Sequence, residues 1–213
     1  MILPVFPLGC TLLPGGRLPL HVFEDRYRSM VVDVLAADDP VFGVVLIERG
    51  SEVGGGEVRG RHGTVARVLQ CRRFADGRYA LVAGGTTRFE VESWTGGRPY
   101  PAASVRLVPD SPANECADTV ERLRGEVRSV NALAVECGSA GGDLELAPTG
   151  DAVRDVWHMI DSSPLGHYDR HELLAVHGFD DRCRRFSELL ADVRAVLLST
   201  IAEDGGGRTG DAG

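Results

Sequence analysis

A chain of 213 residues, 43% apolar and 25% charged, has the make-up of one large or two small globular domains with a sizeable core. Its net charge of −8 works against generic nucleic-acid binding, because neutralising phosphates needs a basic face. All 23 basic side chains are arginine, and the lack of lysine excludes a Walker A phosphate loop, a Ser-Lys dyad and a Schiff base, each of which needs a primary amine.

The opening Met1–Pro7 has neither a basic n-region nor a long apolar stretch, so it does not read as a signal peptide. No run of about 20 apolar residues offers a membrane span. The five cysteines are odd in number and form no C-x-x-C pair, which fits a reducing cytoplasmic setting better than a disulfide framework or a zinc site. Small core roles are expected for them.

The first half reads as short strands punctuated by Gly and Pro. Tyr27, Met30, Val31, Val34 and Leu35 form one apolar stripe at helical spacing, with Glu24 and Asp25 where the helix dipole favours negative charge. Val41–Glu48 is an apolar run typical of a buried strand. Thr64–Phe74 and Arg78–Val82 flank Ala75-Asp76-Gly77, a hairpin turn signal. Thr86–Trp94 alternates with period two, and Ser104–Val108 adds a last strand. Many short strands with tight turns favour a barrel or a sandwich. Gly54-Gly55-Gly56 reads as a hairpin loop, since no G-x-G-x-x-G register fits it.

After Pro109-Asp110-Ser111-Pro112 the period changes. Asn114 is placed to cap a helix carrying Val120, Leu123, Val127, Val130, Ala134 and Cys137. Gly138–Gly142 breaks the chain. Shorter helices are expected over Asp151–Ile160 and Asp169–His177, and a longer one from about Asp181 to Ile201. Residues 204–213 read as a disordered tail. The first 110 residues carry 13 arginines against 12 acidic groups, and the rest 10 against 19, so the two halves have different surfaces.

The motifs that would carry chemistry fail on spacing. Gly138-Ser139-Ala140-Gly141 misses G-x-S-x-G by one position and follows a helix rather than a strand. His171-Glu172 begins a near-miss of H-E-x-x-H, but the second histidine arrives only at His177, six residues on, where it cannot share a helix face. His158 and His167 lie nearby, so a metal site in this region is a rival reading. Arg59–Arg73 could form a local basic patch.

Val5-Phe6-Pro7-Leu8 running to Leu12-Leu13-Pro14-Gly15, then Leu18-Pro19-Leu20-His21-Val22-Phe23-Glu24-Asp25-Arg26-Tyr27, resembles the opening of the Lon protease N-terminal substrate-binding domain. That family reads F-P-L-x-x-x-V-L-F-P-G and then L-P-L-x-I-F-E-x-R-Y. Later pieces agree: Phe42-Gly43-Val44-Val45, Gly63-Thr64-Val65-Ala66-Arg67-Val68, Gly85-Thr86-Thr87-Arg88-Phe89 and Tyr100-Pro101-Ala102-Ala103. Asp169-Arg170-His171-Glu172-Leu173-Leu174 matches D-R-Q-x-L-L more loosely. The likeness covers about residues 1–201. Leu13 stands where a phenylalanine is usual, and Gly15-Gly16 lengthens the turn.

The resemblance implies an α+β chain: a PUA-like β-barrel with one inserted helix over 1–110, a helical bundle over 111–203, and the tail over 204–213. It further implies a stand-alone, non-proteolytic member that recognises substrates, with no cofactor and no metal. The expected partners are unfolded or extended protein segments, or a protease or chaperone; nucleic acid is disfavoured and no membrane is involved. Phe6, Pro7, Leu8, Phe23, Glu24, Arg26 and Tyr27 are family-signature residues with structural roles, Phe6, Leu12, Val22, Phe23 and Tyr27 being assigned to the core. Arg26 is expected to pair with a carboxylate and hold the first helix on the barrel. Pro14 and Pro19, with helical partners, are the candidate peptide-binding surface. The rival functions are an RNA-binding PUA-like module using Arg59–Arg73, and a metal-dependent hydrolase using His158–His177.

Overall fold

The computed structural model describes residues 1–50, 57–113, 116–139 and 146–206. Six strands, β1 (Ile2–Leu8), β2 (Arg17–Val22), β3 (Val41–Arg49), β4 (Val58–Arg73), β5 (Tyr79–Thr95) and β6 (Ala102–Val108), form one mixed sheet. Five helices join them: α1 (Asp25–Leu35), α2 (Ala117–Glu136), α3 (Ala152–Ser162), α4 (His167–Ala175) and α5 (Phe179–Gly206). The architecture is α+β.

The sheet runs β2-β5-β4-β3-β1-β6, with β1 and β3 parallel and the other pairs antiparallel, and β5 also pairs with β6. On one edge, β5 meets β2 along 79–84 and β6 along 88–95. On the other it meets β4. The sheet therefore returns on itself through β5, and register shifts within β4–β5 and β5–β6 supply the bends such a path needs.

Two expected strands are one. Gly84-Gly85 does not break the chain between Val82 and Thr86; β5 passes straight through. A Cβ at Gly85 would sit 2.1 Å from the Leu13 carbonyl oxygen, so this glycine serves a close backbone approach. Gly77, at φ +83°, makes the β4–β5 turn as Asp-Gly chemistry predicts. β1 and β2 were hidden by Pro4, Pro7 and Pro19. Residues 54–56 and Asn114 lie outside the described residues.

Three apolar clusters form. One packs α1 on the sheet, with the Phe6 and Tyr27 rings stacked at 4.0 Å. A second lies between Leu3, Val5, Val45, Phe89 and Val105. The third belongs to the helices, where Val127, Trp157, Ile160 and Phe186 meet. Among the described residues, Leu13 is the one fully packed member of that helical cluster drawn from the first 110. α5 extends to Gly206, so helix covers the first three residues of the expected tail, and 207–213 lie outside the described residues.

Candidate functional site

The segment from Thr11 to Gly16 ties the sheet to the helices. Thr64 Oγ1 donates to the Leu12 carbonyl at 2.6 Å, and Thr11 Oγ1 to the His167 carbonyl at 2.7 Å. Gly15 N–H donates to the Gly85 carbonyl and Gly85 N–H to the Gly16 carbonyl, both at 2.9 Å. With Leu13 sunk among the helices, the Pro14–Gly16 turn is fixed on both sides.

Opposite this turn lies α3. Asp151 caps it, its carboxylate accepting from the N–H groups of Val153 and Arg154. Buried Asp155 accepts from Thr149 Oγ1 at 2.6 Å and from Arg124 at 3.3 Å, and these bonds hold its carboxyl below the usual range although burial opposes them. Between turn and helix is a cleft of about 370 Å³, lined by Pro14, Gly15 and Gly16 on one wall and Arg154, His158 and Asp161 on the other. This size suits a few side chains of a bound segment. A cation, an imidazole and a carboxylate over a proline and glycine floor offer hydrogen bonds and apolar contact, but no activated nucleophile.

Pro14 is thus buried yet forms part of the cleft wall, with helical partners opposite. Pro19 is not in that cleft. It is exposed on β2, beside a separate hollow of about 160 Å³ that reaches Phe6, Leu8 and Tyr27. Among the described residues β2 pairs only with β5, and the Gly85-to-Gly16 bond sets the alternation so that Arg17, Pro19 and His21 turn their backbone groups away from β5. Pro19 leaves that free edge short of a donor, which blunts strand pairing there. The sequence singled out Pro14 but gave no signal for Arg154 or Asp161, which are ordinary polar positions on an amphipathic helix.

Among the signature residues, Phe6, Pro7, Leu8 and Tyr27 are buried, and Glu24 and Arg26 half-buried. Burial pushes the Tyr27 phenol up to about 12. Phe23 corrects its core assignment: 56% of it is exposed, because it follows β2 at the turn into α1, past the point where alternation aims Val22 inward. Arg26 does meet a carboxylate, but that of Glu24 two residues away, at 3.1 Å, while its guanidinium covers the Tyr27 ring at 4.5 Å. This ion pair lies within the turn into α1 and the first turn of the helix.

The rival sites lose ground. Arg59 pairs with Glu57 at 2.7 Å, Arg61 with Glu90 at 3.1 Å and Arg67 with Asp39, so much of the Arg59–Arg73 stretch is already neutralised. His171 lies beside His62, rings 6.4 Å apart, and burial lowers both pKa values. His158 sits in the cleft and His167 binds the Thr11 segment, so these imidazoles serve different places. Among the described residues, no group of three or more His, Cys, Asp or Glu is arranged to hold a metal ion. Cys183 is buried, its thiol pushed up to about 11 by burial, and half-buried Cys10 and Cys116 pack against apolar clusters; Cys137 is half-buried and Cys71 is exposed, so Cys71 departs from the expected core role. No described helix is long and apolar enough to cross a membrane.

The chain is similar to known proteins over most of its length. It is 34% identical over 148 residues to Lon protease 2 of Myxococcus xanthus, covering 67% of this chain and 18% of that protein. It is likewise 34% identical over 151 residues to the Lon protease of Anaeromyxobacter dehalogenans, covering 67% and 17%. It therefore spans less than a fifth of the length of these relatives. Among solved structures, a Lon N-terminal domain protein from Xanthomonas campestris superposes with a TM-score of 0.63 at 28% identity, covering 90% of this chain and 98% of that one. The N-terminal domain of a Mycobacterium avium complex Lon protease, at 20% identity, shares the fold with a TM-score of 0.61 over 90% and 99% of the two chains. The family model of the ATP-dependent protease La (Lon) substrate-binding domain matches residues 2–192, and the chain belongs to that family.

Proposed function

We propose that this chain is a non-catalytic, substrate-recognising or adaptor-like module that holds unfolded or extended protein segments between a PUA-like barrel (residues 1–110) and a helical extension (111–203). The observation that carries this reading is the cleft between the Pro14–Gly16 turn and α3 in a member of a substrate-binding family. Its walls come from the two halves, and the Leu13 anchor and the Gly85 bonds fix its mouth before any ligand arrives. A preformed mouth lowers the ordering cost of capture. Its polar residues are few and mixed in charge, which suits varied segments better than one small molecule. Extended protein chains in the cytoplasm, or a protease or chaperone that handles them, are the partners this assigns.

The test is a titration of fluorescently labelled casein, an unstructured protein, with the native chain and with His158→Trp. His158 is exposed, so the substitution fills the cleft without disturbing the core. Saturable binding that weakens about tenfold in the variant is expected, the loss of a good anchor contact. Equal binding by both proteins, with the variant folded, would remove the cleft from the reading.

A further inference from the structure

A second surface, away from the cleft, has a chemistry of its own. Phe23 stands out at the end of β2 with 56% of its surface exposed, between two hollows. One is the 160 Å³ hollow beside Pro19; the other, about 150 Å³, is lined by His21, Val22, Phe23, Phe74, Arg78 and Tyr79 at the tip of the β4–β5 hairpin. His21 meets Phe74 edge-on at 6.5 Å. The guanidiniums of Arg72 and Arg78 lie over the Phe74 ring at 5.2 and 6.0 Å, and that of Arg73 over Tyr79 at 6.0 Å.

The charge here runs against that of the chain. Residues 21–28 and 72–79 carry five arginines and three carboxylates in a protein of net charge −8. Each carboxylate already has its own arginine: Glu24 with Arg26 at 3.1 Å, Asp25 with Arg28 at 2.9 Å and Asp76 with Arg78 at 2.7 Å. Arg72 and Arg73 make no ion pair among the described residues; Arg72 lies over Phe74, and Arg73, on the opposite face of β4, lies over Tyr79. Stacking orders a guanidinium while leaving its N–H edge free for a carboxylate. An exposed phenylalanine between two hollows, with the Arg72 guanidinium stacked on the neighbouring Phe74, complements a ligand that is both apolar and acidic.

We infer that the Phe23–Phe74 surface is a docking site for an acidic protein segment carrying a large apolar side chain, which packs against Phe23 while a carboxylate meets Arg72. The site is independent of the cleft.

The test uses three short, fluorescein-labelled synthetic peptides followed by anisotropy: one phenylalanine flanked by glutamates, the same peptide with lysines for glutamates, and the same with alanine for phenylalanine. The acidic phenylalanine peptide binds about tenfold more tightly than either control, and the preference shrinks at high salt. Phe23→Ala, and separately Arg72→Glu, each weaken it at least about fivefold with unfolding midpoints held, as exposed positions allow. His158→Trp leaves it unchanged. Equal affinity for all three peptides overturns the inference, as does loss of binding in His158→Trp alone, which would send acidic segments to the cleft. Tighter binding of a single-stranded oligonucleotide than of the acidic peptide also overturns it. So does a concentration-dependent dimer that Phe23→Ala dissolves while no peptide binds, because the occupant would then be a second copy. Casein binding that persists while all three peptides fail leaves the cleft reading standing and removes this one.

Discussion

Arg88 of β5 and Arg182 of α5 close on one carboxylate oxygen, each with a guanidinium nitrogen 2.8 Å from Asp110 Oδ1. Both arginines are almost wholly buried, at 2% and 0% exposure. Trp157 Nε1 donates to the other carboxylate oxygen at 2.8 Å, and its ring lies 4.2 Å from the Arg182 guanidinium. Arg88 also donates to the carbonyls of Leu174 and Val176, at the end of α4, where a cation suits the helix dipole. Burial lowers both guanidinium pKa values, that of Arg182 to about 10, which still leaves it charged at neutral pH. One carboxylate thus joins a strand to two helices.

Removing that carboxylate is the costliest single change expected here. Asp110→Ala leaves two buried guanidiniums without their counter-charge and should destabilise the fold by about 3 to 5 kcal/mol. Urea unfolding followed by tryptophan fluorescence measures it. A loss below about 1 kcal/mol, the level of an exposed ion pair, would show that the cluster does not hold the halves together.

Gly85→Ala should also destabilise, by about 1 to 3 kcal/mol, because its methyl group would meet the Leu13 carbonyl oxygen rather than a side chain that can turn aside. The same variant should weaken casein binding, since it displaces the Pro14–Gly16 turn. A thermal midpoint equal to that of the native chain would refute the close approach.

Phe23→Ala should be nearly neutral for stability, within about 0.5 kcal/mol, as surface changes usually are. Leu13→Ala should cost about 2 to 5 kcal/mol, since Leu13 is fully buried among the helices. The reverse order in chemical denaturation would return Phe23 to the core.

The contrast between these two residues shows what the sequence could tell. Period two before residue 110 and period near 3.6 after it made a strand-rich half and a helix-rich half legible. The helices were placed to within a few residues because their apolar stripes are long. The exposure of Phe23 is not legible in the sequence, because an aromatic residue next to a strand looks the same whether it packs inward or stands out. β1 and β2 were obscured by prolines, which speak against central strands, although Pro19 sits where an edge tolerates it. The Arg88–Asp110–Arg182 cluster has no signature at all: its members are far apart in the chain and look like surface charges. Of the cleft, Pro14 is legible as a binding residue and His158 only as a candidate metal ligand, because the wall opposite Pro14 exists only once α3 is packed.

Stability should fall with pH in a defined window. His62 and His171 have folded pKa values lowered from 6.5, chiefly by burial at the face between β4 and α4. The unfolded chain therefore takes up protons first, so their contribution is complete above about pH 6.5 and is lost as pH falls toward the folded values. The carboxylates held below their usual range, such as Asp155 and Glu172, act at lower pH still, below about 4.5. Urea midpoints measured between pH 7 and pH 5 should decline in the native chain and flatten in a His62→Gln, His171→Gln double variant. Identical declines in the two proteins would assign the effect to other groups.

The most direct test of segment capture between the two halves is hydrogen–deuterium exchange of the chain with and without unstructured casein, read peptide by peptide. Slowed exchange over residues 12–16 and 152–162, the two walls of the cleft, is the predicted result. Unchanged exchange in both stretches at saturating casein would contradict the account.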